Sequence, residues 1–273
     1  MTYQLFCSDF DGTLVRADGT ISENTKEEIA RFQKAGGIFT VVTGRMTSSI
    51  LPRVREFASE GIVVSYQGAV VSDIKTGKVL QSSAFEIEAA LRLVRLLEEE
   101  DHHIHVYTKD GLFVNRRDEM LNEYERICAV HGNVLSEKLS EWLDRERPAV
   151  IKVVVMLEPE GREALCERLK EKLGEAYYVT GSNDWLVECM PAGHDKGSAI
   201  KFLSEYFHIP KAEICAIGDH LNDLPMLEAA GGKFAVGNAH AQLKRIARVV
   251  SSCEEDGVAE ALKIARGGEN HEE

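Results

Sequence analysis

Residues 4–14 read Gln4-Leu5-Phe6-Cys7-Ser8-Asp9-Phe10-Asp11-Gly12-Thr13-Leu14. A short apolar run, typical of a buried strand, ends here in two aspartates that flank one aromatic residue. Ligands of open α/β sheets bind beyond the carboxyl ends of the strands, so Asp9 is placed where a strand presents a side chain to a site. Asp9 and Asp11 are two residues apart and share one face of an extended chain. One carboxylate can therefore act as a nucleophile while the other transfers protons, and Gly12 permits a tight turn beside a ligand.

Composition limits the classes of partner that this chain can have. Its 273 residues suffice for about two domains, and they carry 45 acidic and 32 basic side chains, a net charge of −13. This acidic excess argues against a nucleic-acid or anionic membrane partner, since basic clusters supply the affinity for both. No apolar run reaches the roughly 20 residues of a membrane-spanning helix, and no signal-peptide pattern precedes the first strand. The six cysteines form no Cys-x-x-Cys pair, so we expect a cytoplasmic protein with free thiols.

Apolar strands alternate with helical patterns at both ends of the chain. We predict strands at 4–8, 38–42, 62–64, 214–217, 234–236 and 249–250, with a hairpin at 70–80. We predict helices from about 22 or 24, after 45, at 196–207, 222–230 and 239–248, and from 257. Strands that are apolar throughout and alternate with helices indicate a parallel sheet buried on both faces.

The middle of the chain has a different, mixed α+β pattern. We predict strands at 103–107, 112–115, 150–157, 177–180 and 185–189, and helices at 86–101, 118–130 and 160–173. The predicted architecture is one discontinuous α/β core, residues 1–82 and 191–273, with an inserted domain at 83–190.

Three further polar stretches follow predicted strands or begin a predicted helix. Thr43-Gly44-Arg45 follows the second strand, Asp195-Lys196-Gly197 begins a helix, and Gly218-Asp219-His220-Leu221-Asn222-Asp223 follows a later strand. Together with residues 9–13 they would give one sheet edge acids for a metal ion, a nucleophile, a hydroxyl and a cation. This set suits phosphoryl transfer, in which a protein mostly positions groups and neutralises charge.

The stretch Asp9-x-Asp11-Gly12-Thr13 resembles the first motif of the haloacid dehalogenase superfamily of aspartate-nucleophile phosphatases, and the later stretches resemble its other three motifs in order. The inserted block resembles the large α/β cap of the Cof-type, sugar-phosphatase-like branch. The resemblance implies a Rossmann-like α/β core with a mostly parallel sheet and helices on both faces, plus an α+β cap. It also implies a Mg²⁺-dependent phosphatase that hydrolyses a small phosphorylated metabolite through an aspartyl-phosphate.

The same resemblance implies a role for each matching residue. Asp9 would attack phosphorus, and Asp11 would protonate the leaving alcohol and then activate water. The expected phosphate-binding residues are Thr43, Gly44, Lys196 and Asn222. The expected Mg²⁺ ligands are Asp9, Asp11 (through its backbone carbonyl), Asp219 and Asp223, the last directly or through water. Oxygen ligands of this kind suit magnesium.

Two features depart from the pattern of the branch or compete with this interpretation. The branch often has Asn-Gly-Ala after the third strand, whereas this chain has Gln67-Gly68-Ala69. We take Arg45, Gln67 and Gly68 as candidate substrate contacts. His103 and His105 share a strand face and could suggest a metal site, but no cysteine or acid follows at ligand spacing, so we expect a polar strand.

Two other functions remain open at this point. A phosphomutase resembles this scaffold and would isomerise a sugar phosphate instead of releasing phosphate. A non-catalytic sensor of a phosphorylated ligand could use the same fold, because fold alone does not fix function. In each case the partner is a small phosphorylated molecule, and sugar phosphates, flavin mononucleotide and pyridoxal phosphate are all open. We expect a monomer or a homodimer.

Overall fold

The computed structural model describes residues 2–183 and 185–267, the side chains of 182 and 183 excepted. The chain divides into two compact units, residues 1–80 with 195–273, and residues 81–194. The second unit's assignment as a cap, with predicted bounds at 83 and 190, stays a prediction.

The described residues form two sheets and ten α-helices. The strands are β1 (Leu5–Ser8), β2 (Ile38–Val42), β3 (Ile62–Ser65), β4 (Val70–Asp73), β5 (Val79–Ser82), β6 (His103–Thr108), β7 (Gly111–Val114), β8 (Gly132–Val134), β9 (Val150–Met156), β10 (Tyr177–Asn183), β11 (Leu186–Pro191), β12 (Ile214–Gly218), β13 (Gly232–Ala235) and β14 (Arg248–Val249). The helices are α1 (Glu23–Lys34), α2 (Thr47–Val54), α3 (Ile87–Glu99), α4 (Glu119–Cys128), α5 (Leu139–Glu146), α6 (Pro159–Leu173), α7 (Lys196–Phe207), α8 (Leu224–Ala229), α9 (Ala241–Ile246) and α10 (Gly257–Ala265).

The first unit is built on an eight-stranded sheet with the order β14-β13-β12-β1-β2-β3-β4-β5. Its strands from β14 to β3 pair in parallel, and β4 is antiparallel to β3. Ser8, the last residue of β1, lies opposite Ile217 of β12 and Val41 of β2. This register brings the carboxyl ends of three neighbouring strands to one edge, because parallel strands that start together also end together.

Helix α7 begins at Lys196 because Asp195 caps it. The Asp195 carboxylate accepts from the Ser198 backbone N–H at 2.7 Å, and the Asp195 N–H donates to the Ser198 hydroxyl at 3.1 Å. This reciprocal capping box satisfies two backbone donors that a helix start otherwise leaves without partners. It fixes Lys196 in the first turn of the helix, where the side chain is buried.

The second unit contains a six-stranded sheet with the order β10-β11-β9-β6-β7-β8, antiparallel except for the pair β7 and β8. Alternate residues of a strand point to opposite faces. One face is apolar, and its residues join α3, α5 and α6 in a hydrophobic core. The other face carries buried polar side chains from three strands, namely His103, His105, Tyr107, Lys152 and Glu188.

The predicted fold class is confirmed: the chain has a mixed α/β fold, with a mostly parallel sheet in the first unit. Most predicted elements lie within a few residues of the observed ones. Strand β8 and helix α5 were missed. The helix predicted over 222–230 begins only at Leu224, after a 3₁₀ turn at Leu221–Asp223. No helix in the described part of the chain is both long enough and apolar enough to cross a membrane.

Candidate active site

The Lys196 ammonium joins two carboxylates at the carboxyl edge of the first unit's sheet. Its Nζ donates to Oδ1 of Asp9 at 2.5 Å and to Oδ1 of Asp223 at 2.6 Å. Asp9 follows β1 directly, and its backbone N–H donates to Ile217 of β12 at 3.0 Å. Strand pairing therefore holds Asp9 on one side of the ammonium, while the first turn of α7 holds the ammonium itself.

Asp223 also organises the loop that carries Asp219. Its second oxygen, Oδ2, accepts from the backbone N–H groups of Asp219 at 2.9 Å and His220 at 3.1 Å. The Asp219 carboxylate in turn accepts from the hydroxyl of Thr13 at 3.1 Å. Gly12 has a φ of 75°, and a Cβ atom on it would lie 2.6 Å from Oδ2 of Asp219, so this turn favours glycine. The loops after β1 and β12 are thus locked together.

Burial and like charges act together on the titration of this cluster. Burial raises the pKa of Asp9 well above its usual range; the Lys196 charge opposes this effect, and Asp223 and Asp219 add to it. Burial and then the Asp223 charge raise the pKa of Asp219 to about 7. Burial alone would lower the pKa of Lys196, but the carboxylates of Asp223 and Asp9 raise it above its ordinary value. Lys196 therefore stays charged, but its single positive charge is too little to balance the carboxylates around it.

A divalent cation fits this deficit. Ligand atoms of Asp9, Asp219 and Asp223 all lie within 4.8 Å of one another, which makes them a candidate metal group. Three carboxylates against one ammonium leave two negative charges to be balanced. Hard carboxylate oxygens are the ligands that magnesium prefers. Within residues 2–183 and 185–267 this is the only group of three or more such side chains, and His103 and His105 do not form another.

Asp11 lies at the same edge but forms a different pair. Its oxygens accept from Arg45 in a fork, Nε to Oδ2 at 2.7 Å and Nη2 to Oδ1 at 2.6 Å. The guanidinium also lies 5.3 Å from the centre of the Phe10 ring. A bidentate pair of this kind has defined geometry as well as strength. Asp11 is half-exposed while Asp9 is buried, so the two carboxylates have distinct environments.

The remaining predicted phosphate and substrate residues lie on the loops after β2, β3 and β12. Thr43 is buried, its hydroxyl accepts from the Arg45 N–H at 3.2 Å, and Gly44 lies between these two residues in the chain. The Asn222 side-chain amide donates to Oε1 of Gln67 at 3.1 Å. Gly68 lies against the backbone of Asp195, where a Cβ atom would come within 2.2 Å of the carbonyl oxygen.

Two contacts of this site have little or no signal in the sequence. Asn238 donates to the carbonyl of Gly12 at 2.8 Å and accepts from the Cys253 N–H at 2.9 Å, so it braces the turn after Asp9. The stretch Gly237-Asn238-Ala239 is a weak signal for this brace. Nothing in the sequence indicates the fork between Arg45 and Asp11, because the two residues belong to separate motifs.

Comparison with known proteins agrees with this geometry. A family model described as haloacid dehalogenase-like hydrolase matches residues 6–262. The 5-amino-6-(5-phospho-D-ribitylamino)uracil phosphatase of Bacillus subtilis is 29% identical over 266 residues, which cover 95% of this chain and 96% of that protein. The HMP-PP phosphatase of Yersinia pseudotuberculosis is 28% identical over 264 residues, covering 95% and 94%. The structure of a haloacid dehalogenase-like hydrolase from B. subtilis superposes with a TM-score of 0.87 at 25% identity, covering 95% of this chain and 99% of that one.

Proposed function

Because the chain belongs to the haloacid dehalogenase-like hydrolases and is a phosphatase of that family, we propose that it hydrolyses a small phosphomonoester through an aspartyl-phosphate on Asp9, with Mg²⁺ as cofactor. The observation that carries the proposal is the placement of Lys196 between Asp9 and Asp223, with Asp219 alongside. This arrangement has a carboxylate nucleophile, a fixed cation and an excess of acid in one buried place.

In the first step, a carboxylate oxygen of Asp9 attacks phosphorus, and the bond from phosphorus to the leaving oxygen breaks. Lys196 holds the nucleophile in place and offsets the charge that develops on the phosphoryl oxygens. Thr43, Gly44 and Asn222 bind those oxygens with hydroxyl, backbone and amide donors. Charge neutralisation and positioning are the main demands of phosphoryl transfer, and these residues supply both.

Asp11 serves both steps as acid and base. Its protonated carboxyl gives a proton to the leaving oxygen, and its carboxylate then takes a proton from the water that attacks the aspartyl-phosphate. The attack releases inorganic phosphate and regenerates Asp9. Both carboxylate oxygens of Asp11 accept from Arg45 in the fork, so the pair must open before Asp11 can carry a proton to the leaving group.

Magnesium would be held by Asp9, Asp219 and the backbone carbonyl of Asp11. Asp223 would support it through the loop that it already braces. When bound, the ion supplies positive charge that polarises the phosphate and balances the carboxylates.

The relatives support the proposed substrate class. One relative is a phosphatase of a phosphorylated ribitylamino-uracil, and we propose a substrate of similar size. Arg45, Gln67 and Gly68 are the proposed substrate contacts. Selection of the leaving group by the second unit, a cytoplasmic location and a monomeric or homodimeric state stay predictions.

The test is phosphate release by metal-stripped protein, with each ion added back. We expect chelation to stop hydrolysis of p-nitrophenyl phosphate and Mg²⁺ to restore it. Ca²⁺ should support turnover poorly, because it accepts more ligands and bidentate carboxylates. A panel of sugar phosphates, flavin mononucleotide, pyridoxal phosphate and the ribitylamino-uracil phosphate would then rank substrates.

Other outcomes of this test would replace the proposal. Full activity without metal would contradict the role of Asp219. An isomerised sugar phosphate without phosphate release would indicate a mutase. Phosphate binding with no hydrolysis across the panel would indicate a sensor.

A further inference from the structure

The turn after β1 is tied to a segment far along the chain, residues 236–240, which follows β13. Nδ2 of Asn238 donates to the carbonyl oxygen of Gly12 at 2.8 Å, across 226 positions of the sequence. Gly12 belongs to the same tight turn as Asp11. The peptide group that carries this carbonyl is therefore held from outside the turn, next to the residue whose backbone oxygen is a proposed Mg²⁺ ligand.

The orientation of the Asn238 amide is fixed by its two partners. A backbone carbonyl can only accept a hydrogen bond, and a backbone N–H can only donate one. Oδ1 of Asn238 accepts from the Cys253 N–H at 2.9 Å, so the NH₂ group has to be the end that faces Gly12. Although Asn238 lies at the surface, its side chain is held at both ends, and the direction of each bond is unambiguous.

The segment that carries Asn238 is joined to the loop after β12 by its own backbone. The Val236 N–H donates to the carbonyl of Gly218 at 3.3 Å, and the His240 N–H donates to the carbonyl of Asp219 at 2.7 Å. Asn238 thus lies between two backbone contacts to the loop that carries Asp219.

Segment 236–240 therefore contacts both halves of the candidate metal centre. Its backbone contacts the loop that carries Asp219, and the Asn238 side chain contacts the turn that carries Asp11. A second tie between the halves, from the Thr13 hydroxyl to the Asp219 carboxylate at 3.1 Å, uses an oxygen of a proposed metal ligand. Asn238 holds the two halves together without occupying a proposed ligand atom.

We propose that Asn238 is a positioning residue for the metal centre: by holding the Gly12 carbonyl, it sets where the Asp11 backbone oxygen lies relative to Asp219. This inference rests on the proposed function, in which both of these groups bind Mg²⁺. Side chains one step removed from a metal commonly change its affinity by about 10- to 100-fold, because they orient the ligands. An asparagine suits this position because one amide both donates to Gly12 and accepts from Cys253.

Two substitutions separate the contact to Gly12 from the contact to Cys253. Asn238→Leu keeps approximately the same shape, but leucine can neither donate nor accept, and it adds no charge that would act on a cation directly. The matched control is Cys253→Pro, which removes the second contact and leaves the first in place, because proline has no N–H. Cys253 begins a 3₁₀ turn, and Ser252 before it has φ −66° and ψ 166°, a conformation that suits a residue preceding proline.

The primary measurement is the dissociation constant of Mg²⁺ for the full-length, metal-stripped protein without substrate, by titration calorimetry. We expect Asn238→Leu to weaken binding by about tenfold or more. Cys253→Pro should stay within about threefold of wild type, since the Gly12 carbonyl keeps its donor. An equal loss in the two variants would mean that the effect passes through the loop after β14, and the inference would be wrong.

The dependence of turnover on Mg²⁺ gives a second readout. Hydrolysis of p-nitrophenyl phosphate by Asn238→Leu should need about tenfold more Mg²⁺ than wild type and should approach the wild-type kcat once Mg²⁺ saturates. A wild-type requirement for Mg²⁺ in this variant would contradict the inference.

Thermal melting separates positioning from a general loss of stability. If Asn238 only stabilises the turn, Asn238→Leu should melt earlier than wild type but bind Mg²⁺ with the wild-type dissociation constant, which would overturn the inference. If Asn238 positions the ligands, the same Mg²⁺ concentration should raise the Tm of the variant by less than that of wild type, because weaker binding stabilises less. Should Asn238→Leu fail to fold, Asn238→Ala removes the same two hydrogen bonds and decides with the same expected loss.

The outcomes distinguish this inference from the proposed function. A wild-type protein that binds Mg²⁺ but hydrolyses no phosphomonoester contradicts the function and leaves the comparison of the variants valid. A Mg²⁺-dependent wild-type phosphatase in which Asn238→Leu binds the ion normally contradicts the inference alone. A wild-type protein that binds no Mg²⁺ overturns both.

Discussion

Both units bury a lysine against a carboxylate, and the two arrangements differ in charge balance. In the first unit, Lys196 contacts Asp9 and Asp223 beside a third carboxylate, Asp219. In the second unit, Lys152 pairs with Glu188 at 2.6 Å in the middle of a sheet, with side chains that are 4% and 3% exposed. The first cluster carries an excess of negative charge, while the second pair is neutral as a whole.

This difference in net charge indicates which of the two buried groups is the functional site. A buried ion pair with no net charge needs no further ion, and its presence is weak evidence for a functional site. A buried cluster with surplus carboxylates is incomplete until a cation binds, and the raised pKa values of Asp9 and Asp219 express that deficit. Perturbed groups at a sheet edge are therefore candidates for function. The cluster around Lys196 meets that condition, and the pair of Lys152 and Glu188 does not.

The largest expected effect is on turnover. Asp9→Asn should reduce kcat by on the order of 10⁴-fold or more, the scale seen when a covalent nucleophile is removed. The amide is nearly isosteric, so the fold should survive, but it is a far weaker nucleophile. The matched control is Glu188→Gln, which makes the same kind of change in the balanced pair and should retain most of the wild-type kcat.

Steady-state phosphate release measures both variants, after mass spectrometry has excluded deamidation of the new asparagine. Near-normal turnover by Asp9→Asn would rule out the covalent mechanism. An equal collapse in Glu188→Gln would erase the distinction between the two clusters.

The edge position of Asp9, Thr43 and Asp219 was predictable because each residue follows an apolar strand of one parallel sheet. The position of Lys196 was likewise predictable, because Asp195 is a strong helix cap. Partners across long sequence distances were not predictable. Local pattern does not show that Arg45 would bind Asp11.

The second unit was harder to read from sequence. Its polar sheet face breaks the expectation that buried strand residues are apolar, and Lys152 lies in an otherwise apolar run without any sign of Glu188. Strand β8 is only three residues long, and two of them are exposed, so it lacks the alternation that marks a strand.

The second expected effect is on stability. Lys152→Met should lower the free energy of unfolding by about 3–5 kcal/mol, because it leaves Glu188 buried without its cation. Combining Lys152→Met with Glu188→Leu should recover most of that loss, since replacing a whole buried pair with apolar groups is often neutral. Urea denaturation measures both changes. A single substitution as stable as wild type would show that Glu188 is protonated or reaches water, and the pair would no longer count as balanced.

The smallest expected effect is a pH dependence confined to the second unit. Burial lowers the pKa of His105 well below its usual value, and the nearby His103 and Lys152 charges lower it further, against a weaker opposing effect of Glu125. The folded state therefore keeps His105 neutral, while the unfolded chain takes up a proton near pH 6.5. The contribution of neutral His105 to the free energy of unfolding is fully present above about pH 6.5. It is lost as pH falls below that value, by about 1.4 kcal/mol per pH unit.

The variant His105→Gln cannot titrate, so between pH 7.5 and 5.5 its free energy of unfolding, measured by urea titration, should fall by about 1 kcal/mol less than that of wild type. An unchanged profile for His105→Gln would mean that the imidazole gains a proton in the folded protein, and the polar face of the second sheet would then be open to charge in the same way as the cluster around Lys196.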